Sequence, residues 1–71
     1  MLWCKKDGKG ECLSLLKRLV GGGRKVRIET RDGLLFIDEV MRVADTDGES
    51  SVIFSGRSIA IADLERVEAV G

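Results

Sequence analysis

From Val26 to Ala44 the chain alternates and then saturates. Val26, Ile28 and Thr30 interleave with Arg27, Glu29 and Arg31, the period of two expected of a strand with one buried face. Asp32-Gly33 follows, a strong hairpin signal because both residues tolerate the positive φ of a tight turn. Beyond it Leu34-Leu35-Phe36-Ile37 and Val40-Met41-Arg42-Val43 are apolar on both faces. They predict a long second arm with Leu35 and Ile37 turned to the core. Asp38-Glu39 interrupts that arm, and a bend or bulge near Asp38 would keep both halves on one core.

The other runs supply cover for this hairpin. Cys12, Leu15, Leu16, Leu19 and Val20 fall at i, i+3, i+4, i+7 and i+8, predicting a helix over 11–20 with one apolar stripe. Glu11 at its start and Lys17 and Arg18 at its end suit the helix dipole, and Gly21-Gly22-Gly23 ends it. Residues 51–55 read as a third strand and 57–62 as a fourth, with Ile59 and Ile61 inward. Asp63 to Arg66 reads as a single helical turn capped by Asp63, and 67–70 as a fifth strand. The expected architecture is one domain over 1–71, mainly β: a leading segment (1–10), one N-terminal α-helix (11–20) and a small five-stranded antiparallel SH3-like barrel (24–70). Its expected core is Val26, Ile28, Leu35, Ile37, Val43, Val52, Phe54, Ile59, Ile61 and Val67, with Leu15, Leu16 and Leu19 of the helix packed on it.

Length sharpens this picture. With 71 residues and only Trp3, Phe36 and Phe54 as aromatics, the core is small and aliphatic, and a domain of about 60 residues buries only about 60% of its unfolded surface. Charge changes it further. The total is zero, yet nine Lys and Arg stand against three carboxylates through Arg31, and three against nine from Asp32 onward, a split of +6 and −6. Two readings follow: the halves cancel within the fold as solvated faces, or unlike faces meet between copies. The second, with open strand edges, predicts a homo-oligomer.

Little here suggests chemistry. There is no histidine and there are two cysteines, too few for a four-ligand zinc site. Cys4 and Cys12 admit a disulfide; the favoured reading is two reduced thiols, one packed as a small apolar residue. Asp7-Gly8-Lys9-Gly10-Glu11 and Asp45-Thr46-Asp47-Gly48 lack the ligand spacing of a calcium loop and read as turns. The triple glycine follows a helix instead of preceding one, which is the wrong order for a phosphate cradle. Adjacent strand residues point to opposite faces, so Asp38 and Glu39 make no catalytic pair. No enzyme, metal, cofactor or small-molecule substrate is expected. The run from Leu13 to Val20 is broken by Lys17 and Arg18, so neither a signal peptide nor a membrane span is read, and a cytoplasmic location is expected.

The order of one short helix, five short strands with a long bent second, and a single turn before the last resembles the Sm-like small barrels. The segment Gly23-Arg24-Lys25-Val26-Arg27-Ile28-Glu29-Thr30-Arg31-Asp32-Gly33 is similar to that family's first motif: a glycine-basic lead-in, an alternating strand and an acidic-glycine turn. Ser55-Gly56-Arg57 resembles its basic-glycine turn, and Asp45 its loop aspartate. Within the superfamily, Arg31-Asp32-Gly33 and the stretch from Ile59 to Val67 resemble the Rho-binding antiterminators, bacterial proteins that bind a protein largely through acidic surface.

The resemblance implies a non-enzymatic binding module in an RNA or transcription setting. For RNA the candidate contacts are Lys17, Arg18, Arg24, Lys25, Arg27, Arg31 and Arg57, since phosphates require such a basic cluster. For a protein of the transcription machinery, acting as an adaptor partner without nucleic acid, they are Asp38, Glu39, Asp45, Asp47 and Glu49, or a sheet edge.

Overall fold

The computed structural model describes residues 2–46 and 48–70. Six strands and one helix make up the fold: β1 (Leu2–Cys4), α1 (Lys9–Leu19), β2 (Lys25–Thr30), β3 (Leu35–Thr46), β4 (Glu49–Phe54), β5 (Ser58–Ala60) and β6 (Leu64–Val70). Single 3-10 turns at Lys5–Asp7 and Ile61–Asp63 precede α1 and β6. All strand pairs are antiparallel, in the spatial order β1-β6-β2-β3-β4-β5. The sheet is not closed, so the expected five-stranded barrel is corrected to an open, bent sheet of six strands.

The sixth strand is β1. Three residues are too few to show a period, but Trp3 pairs with Val67 and is almost wholly buried. Its indole N–H donates to the Gly8 carbonyl at 2.8 Å, which gives a buried ring the partner its polar edge requires. One rung of the core therefore runs Trp3, Val67, Ile28, Phe36 across four strands.

The long strand β3 serves two partners. Residues 35–39 pair with β2 and residues 40–46 with β4. The register slips between Val40 and Arg42, so a bulge falls at Met41, three residues beyond Asp38. Phe36 and Val40 share a face by the period of two, and the bulge beyond them turns Val43, opposite Val52, toward that same interior.

The hairpin register corrects the expected core. Thr30 N–H donates to the Leu34 carbonyl at 2.9 Å and Gly33 N–H to the Thr30 carbonyl at 3.0 Å, which makes a three-residue loop of Arg31-Asp32-Gly33. Among the described residues only glycines carry positive φ, Gly33 at 92°, as a three-residue hairpin requires. Ile28 then faces Phe36, and Glu29 faces Leu35. A shift of one residue turns every side chain of an arm over. Leu35 and Ile37, expected inside, are 64% and 54% exposed, and Phe36 packs inward in their place.

The core proper comprises Trp3, Cys12, Leu16, Leu19, Val26, Ile28, Val40, Val52, Phe54, Ile61, Leu64 and Val67, with Leu15, Val43 and Ile59 half-buried against it. Helix α1 runs from residue 9 to 19, not 11 to 20, and Val20 lies outside it, 38% exposed. Its buried residues Cys12, Leu16 and Leu19 lie over the sheet, and a helix this short depends on that packing. The turn expected at Asp63–Arg66 falls three to two residues earlier, at Ile61–Asp63, and Asp63 does not cap it. Instead the Asp63 carbonyl accepts the Arg31 N–H at 2.8 Å. Strand β6 starts at Leu64, and a register shift near Glu65 lets Leu64 and Val67 both face inward. No helix among the described residues is long and apolar enough to cross a membrane.

Candidate functional site

Charge is arranged by the fold into crossed pairs. Four ion pairs occur among the described residues: Lys5–Glu65, Lys17–Asp45 and Arg27–Glu68 at 3.5 Å, and Arg31–Asp63 at 4.0 Å. Each joins a cation from the basic first part of the sequence to a carboxylate from the acidic second part. All are exposed, so each contributes at most about 1 kcal/mol. Their effect is on the surface field, which they neutralise locally.

This pairing decides where the candidate RNA contacts stand. Lys17 on α1, Arg27 on β2 and Arg31 in the hairpin loop each have a carboxylate beside them. Arg57 lies over the Phe36 ring at 4.2 Å from its centroid. Arg18 borders an open groove between β1 and α1 that also contains Asp7 and Glu11. Arg24 and Lys25 enter β2, where Lys25 sits between Glu39 and Val70. The seven cations are thus spread over helix, outer sheet face and two separate turns, with acids between them.

The acidic candidates are held by hydrogen bonds. Asp38 Oδ1 accepts from the Ser55 hydroxyl and, at 2.7 Å, from the Glu39 N–H. The Ser55 bond in particular holds the Asp38 carboxyl below its usual range. Asp45 Oδ1 accepts from the Ser50 hydroxyl at 2.8 Å, and that bond, with Lys17 nearby, likewise lowers its pKa. Glu39 is half-buried opposite Lys25, while Glu49 is exposed at the start of β4. Asp47 lies outside the described residues.

Sequence reasoning expected a sheet edge without placing it, and missed a second surface. The first is the open seam of the sheet. Strand β5 pairs with β4 alone, and its other side borders a cavity of about 310 Å³ against the hairpin loop, lined by Thr30, Arg31, Asp32, Leu34, Ser58 and Asp63 among others. The Thr30 hydroxyl donates to Asp32 Oδ1 and accepts the Leu34 N–H at 3.1 Å. The bond from Thr30 keeps the Asp32 carboxyl below the usual range, so a fixed negative charge stands at the mouth of the seam. An alternating strand cannot reveal where its sheet stays open, which is why the expected edge could not be located from the sequence.

The second is the outer face of β6, β2 and β3. There Arg27 is flanked by Glu68 and Ile37, and Glu29 by Arg66 and Leu35. The apolar Leu35 and Ile37 signalled this surface only if the hairpin register was known.

Cys12 is fully buried and Cys4 half-buried, both as free thiols. Burial pushes the Cys12 thiol up to about 12, so it packs as an apolar residue. No group of three or more His, Cys, Asp or Glu among the described residues is placed to hold a metal ion. No protein-family model matches this chain, and no curated protein or solved structure is significantly similar to it.

Proposed function

We propose that the chain is a non-enzymatic binding module of the Sm-like type, in the RNA or transcription setting which that resemblance implies, and that its partner is a protein. The observation that carries this reading is the open seam at β5. An unpaired strand edge presents backbone donors and acceptors that an extended segment of another protein can continue. The fixed carboxylate of Asp32 and the exposed Leu34 beside it supply side-chain selectivity. The order of one helix, a long bent strand and a single turn before the last strand supports the Sm-like part of the reading.

Three of the seven candidate cations, Lys17, Arg27 and Arg31, are paired with carboxylates, which argues against RNA as the main ligand, because phosphate binding draws on an uncompensated basic surface. RNA contact stands as the second reading on one specific ground: Arg18, Arg24, Lys25 and Arg57 make no ion pair among the described residues.

A photo-crosslinking residue placed at Ser58, with a control at the exposed Lys6, distinguishes the two in the protein's own cells. Protein adducts at 58 and none at 6 are expected. RNA adducts, or no adduct at Ser58, would overturn the protein reading.

A further inference from the structure

The outer face of the sheet carries a charge pattern that is complementary to itself. On neighbouring strands β6 and β2, Glu68 stands beside Arg27 on one rung, and Arg66 beside Glu29 on the next same-facing rung. The four charges form a two-by-two checkerboard. Beside it on β3 stand Ile37 and Leu35, rung for rung, the most exposed large apolar side chains described. A depression of about 240 Å³ lies among the four charged side chains and Leu35.

We infer that this face is a homodimer interface, two copies stacked face to face about a two-fold axis perpendicular to the strands. Such an axis lies in the interface plane between the two rungs, and it exchanges them. Glu68 then meets Arg66 of the second copy and Arg27 meets its Glu29, so every charge faces its opposite. The same rotation sets Leu35 against the second copy's Ile37 and removes both from water. A foreign partner would need to reproduce this alternation, whereas a second copy carries it already. The face has no net charge, so it neither repels its own copy nor attracts a polyanion.

The size of the face sets the strength. Three strands about 4.8 Å apart and some five residues long span on the order of 250 Å², well under the roughly 800 Å² per partner of a standard interface. The dimer is therefore weak, with a Kd on the order of 100 µM. It is independent of the β5 seam, which lies on the other side of the hairpin, and either can fail without the other.

Sedimentation of the whole chain from about 10 µM to about 1 mM tests the inference, a range that brackets that dissociation constant. The mass is expected to rise toward twice the monomer. Two variants then address the mechanism. The exchange Arg27→Glu with Glu68→Arg preserves the ion pair within each copy but sets like charges against each other across the axis. It is expected to weaken association at least about tenfold while leaving the amide spectrum of the monomer folded. Leu35→Glu, at a position 64% exposed in the monomer, is expected to do the same. A monomer at the highest concentration, or association that survives either variant, would overturn the proposal.

Discussion

The Arg57 guanidinium lies 4.2 Å from the centroid of the Phe36 ring, and that ring stands edge-on to Phe54 with centroids 5.1 Å apart. A three-member stack thus ties the β4–β5 turn to the half of β3 that pairs with β2. A cation over an exposed ring face contributes about 0.5–1 kcal/mol. Arg57→Ala is expected to lose about that much in urea denaturation, and Arg57→Lys to lose less. An unchanged midpoint for Arg57→Ala would show that the stack is incidental.

The hairpin register gives the sharpest stability contrast. Ile28 is fully buried and Ile37 is 54% exposed. Ile28→Ala is expected to cost about 2–5 kcal/mol, from lost burial and the cavity left behind. Ile37→Ala should stay within about 0.5 kcal/mol in the monomer. Equal losses measured at low concentration would mean that the three-residue loop is wrong.

Asp38 makes the fold sensitive to acid. Its carboxyl binds a proton less tightly in the folded chain than in the unfolded one, chiefly through the Ser55 hydroxyl. The bond therefore adds stability above the ordinary aspartate pKa and loses it as pH falls through the depressed value. Carbon-detected titration should place the Asp38 midpoint below that of an unstructured aspartate. In Ser55→Ala it should move up, with a shallower loss of stability in acid; a midpoint unmoved by that substitution would remove Ser55 as the cause.

The two thiols should differ in reactivity. Cys12 has no exposed surface and a thiol pushed up to about 12, while Cys4 is half-buried at the sheet edge. Because the thiolate is the reactive form, iodoacetamide near pH 8 is expected to label Cys4 and spare Cys12 until the protein unfolds. Simultaneous labelling of both in native buffer would contradict the burial of α1 on the sheet.

Much of the fold was legible in residue order. Alternation in Val26–Thr30 and the apolar stripe Cys12, Leu16 and Leu19 were enough to place β2 and α1, because each is set by local periodicity. The register of β3 was not, since Asp32-Gly33 suits loops of two and three residues alike, and the choice depends on Phe36 finding Phe54 across the bend. Strand β1 was hidden because three residues carry no period; Trp3 is buried through a partner more than sixty residues away in sequence. For the candidate site, the cations and acids were individually visible. What a linear reading could not give is which acid each cation meets, because all four pairs join residues far apart in the chain.

Those four pairs carry a consequence for synthesis. The chain leaves the ribosome basic end first, and none of the carboxylates that answer Lys5, Lys17, Arg27 or Arg31 has yet been translated when Arg31 appears. For that interval the stretch through Arg31 carries nine cations against three carboxylates beside ribosomal RNA, and phosphate attraction of such segments is strong and salt-dependent. A stalled product ending at Arg31 should co-sediment with ribosomes after peptidyl release at low salt and wash off at high salt, whereas the chain with its second half should bind more weakly at the same salt; equal binding of the two would contradict this screening. Translation of the second half therefore does more than complete the sheet: it supplies the carboxylates that screen these four cations from the machine that builds them.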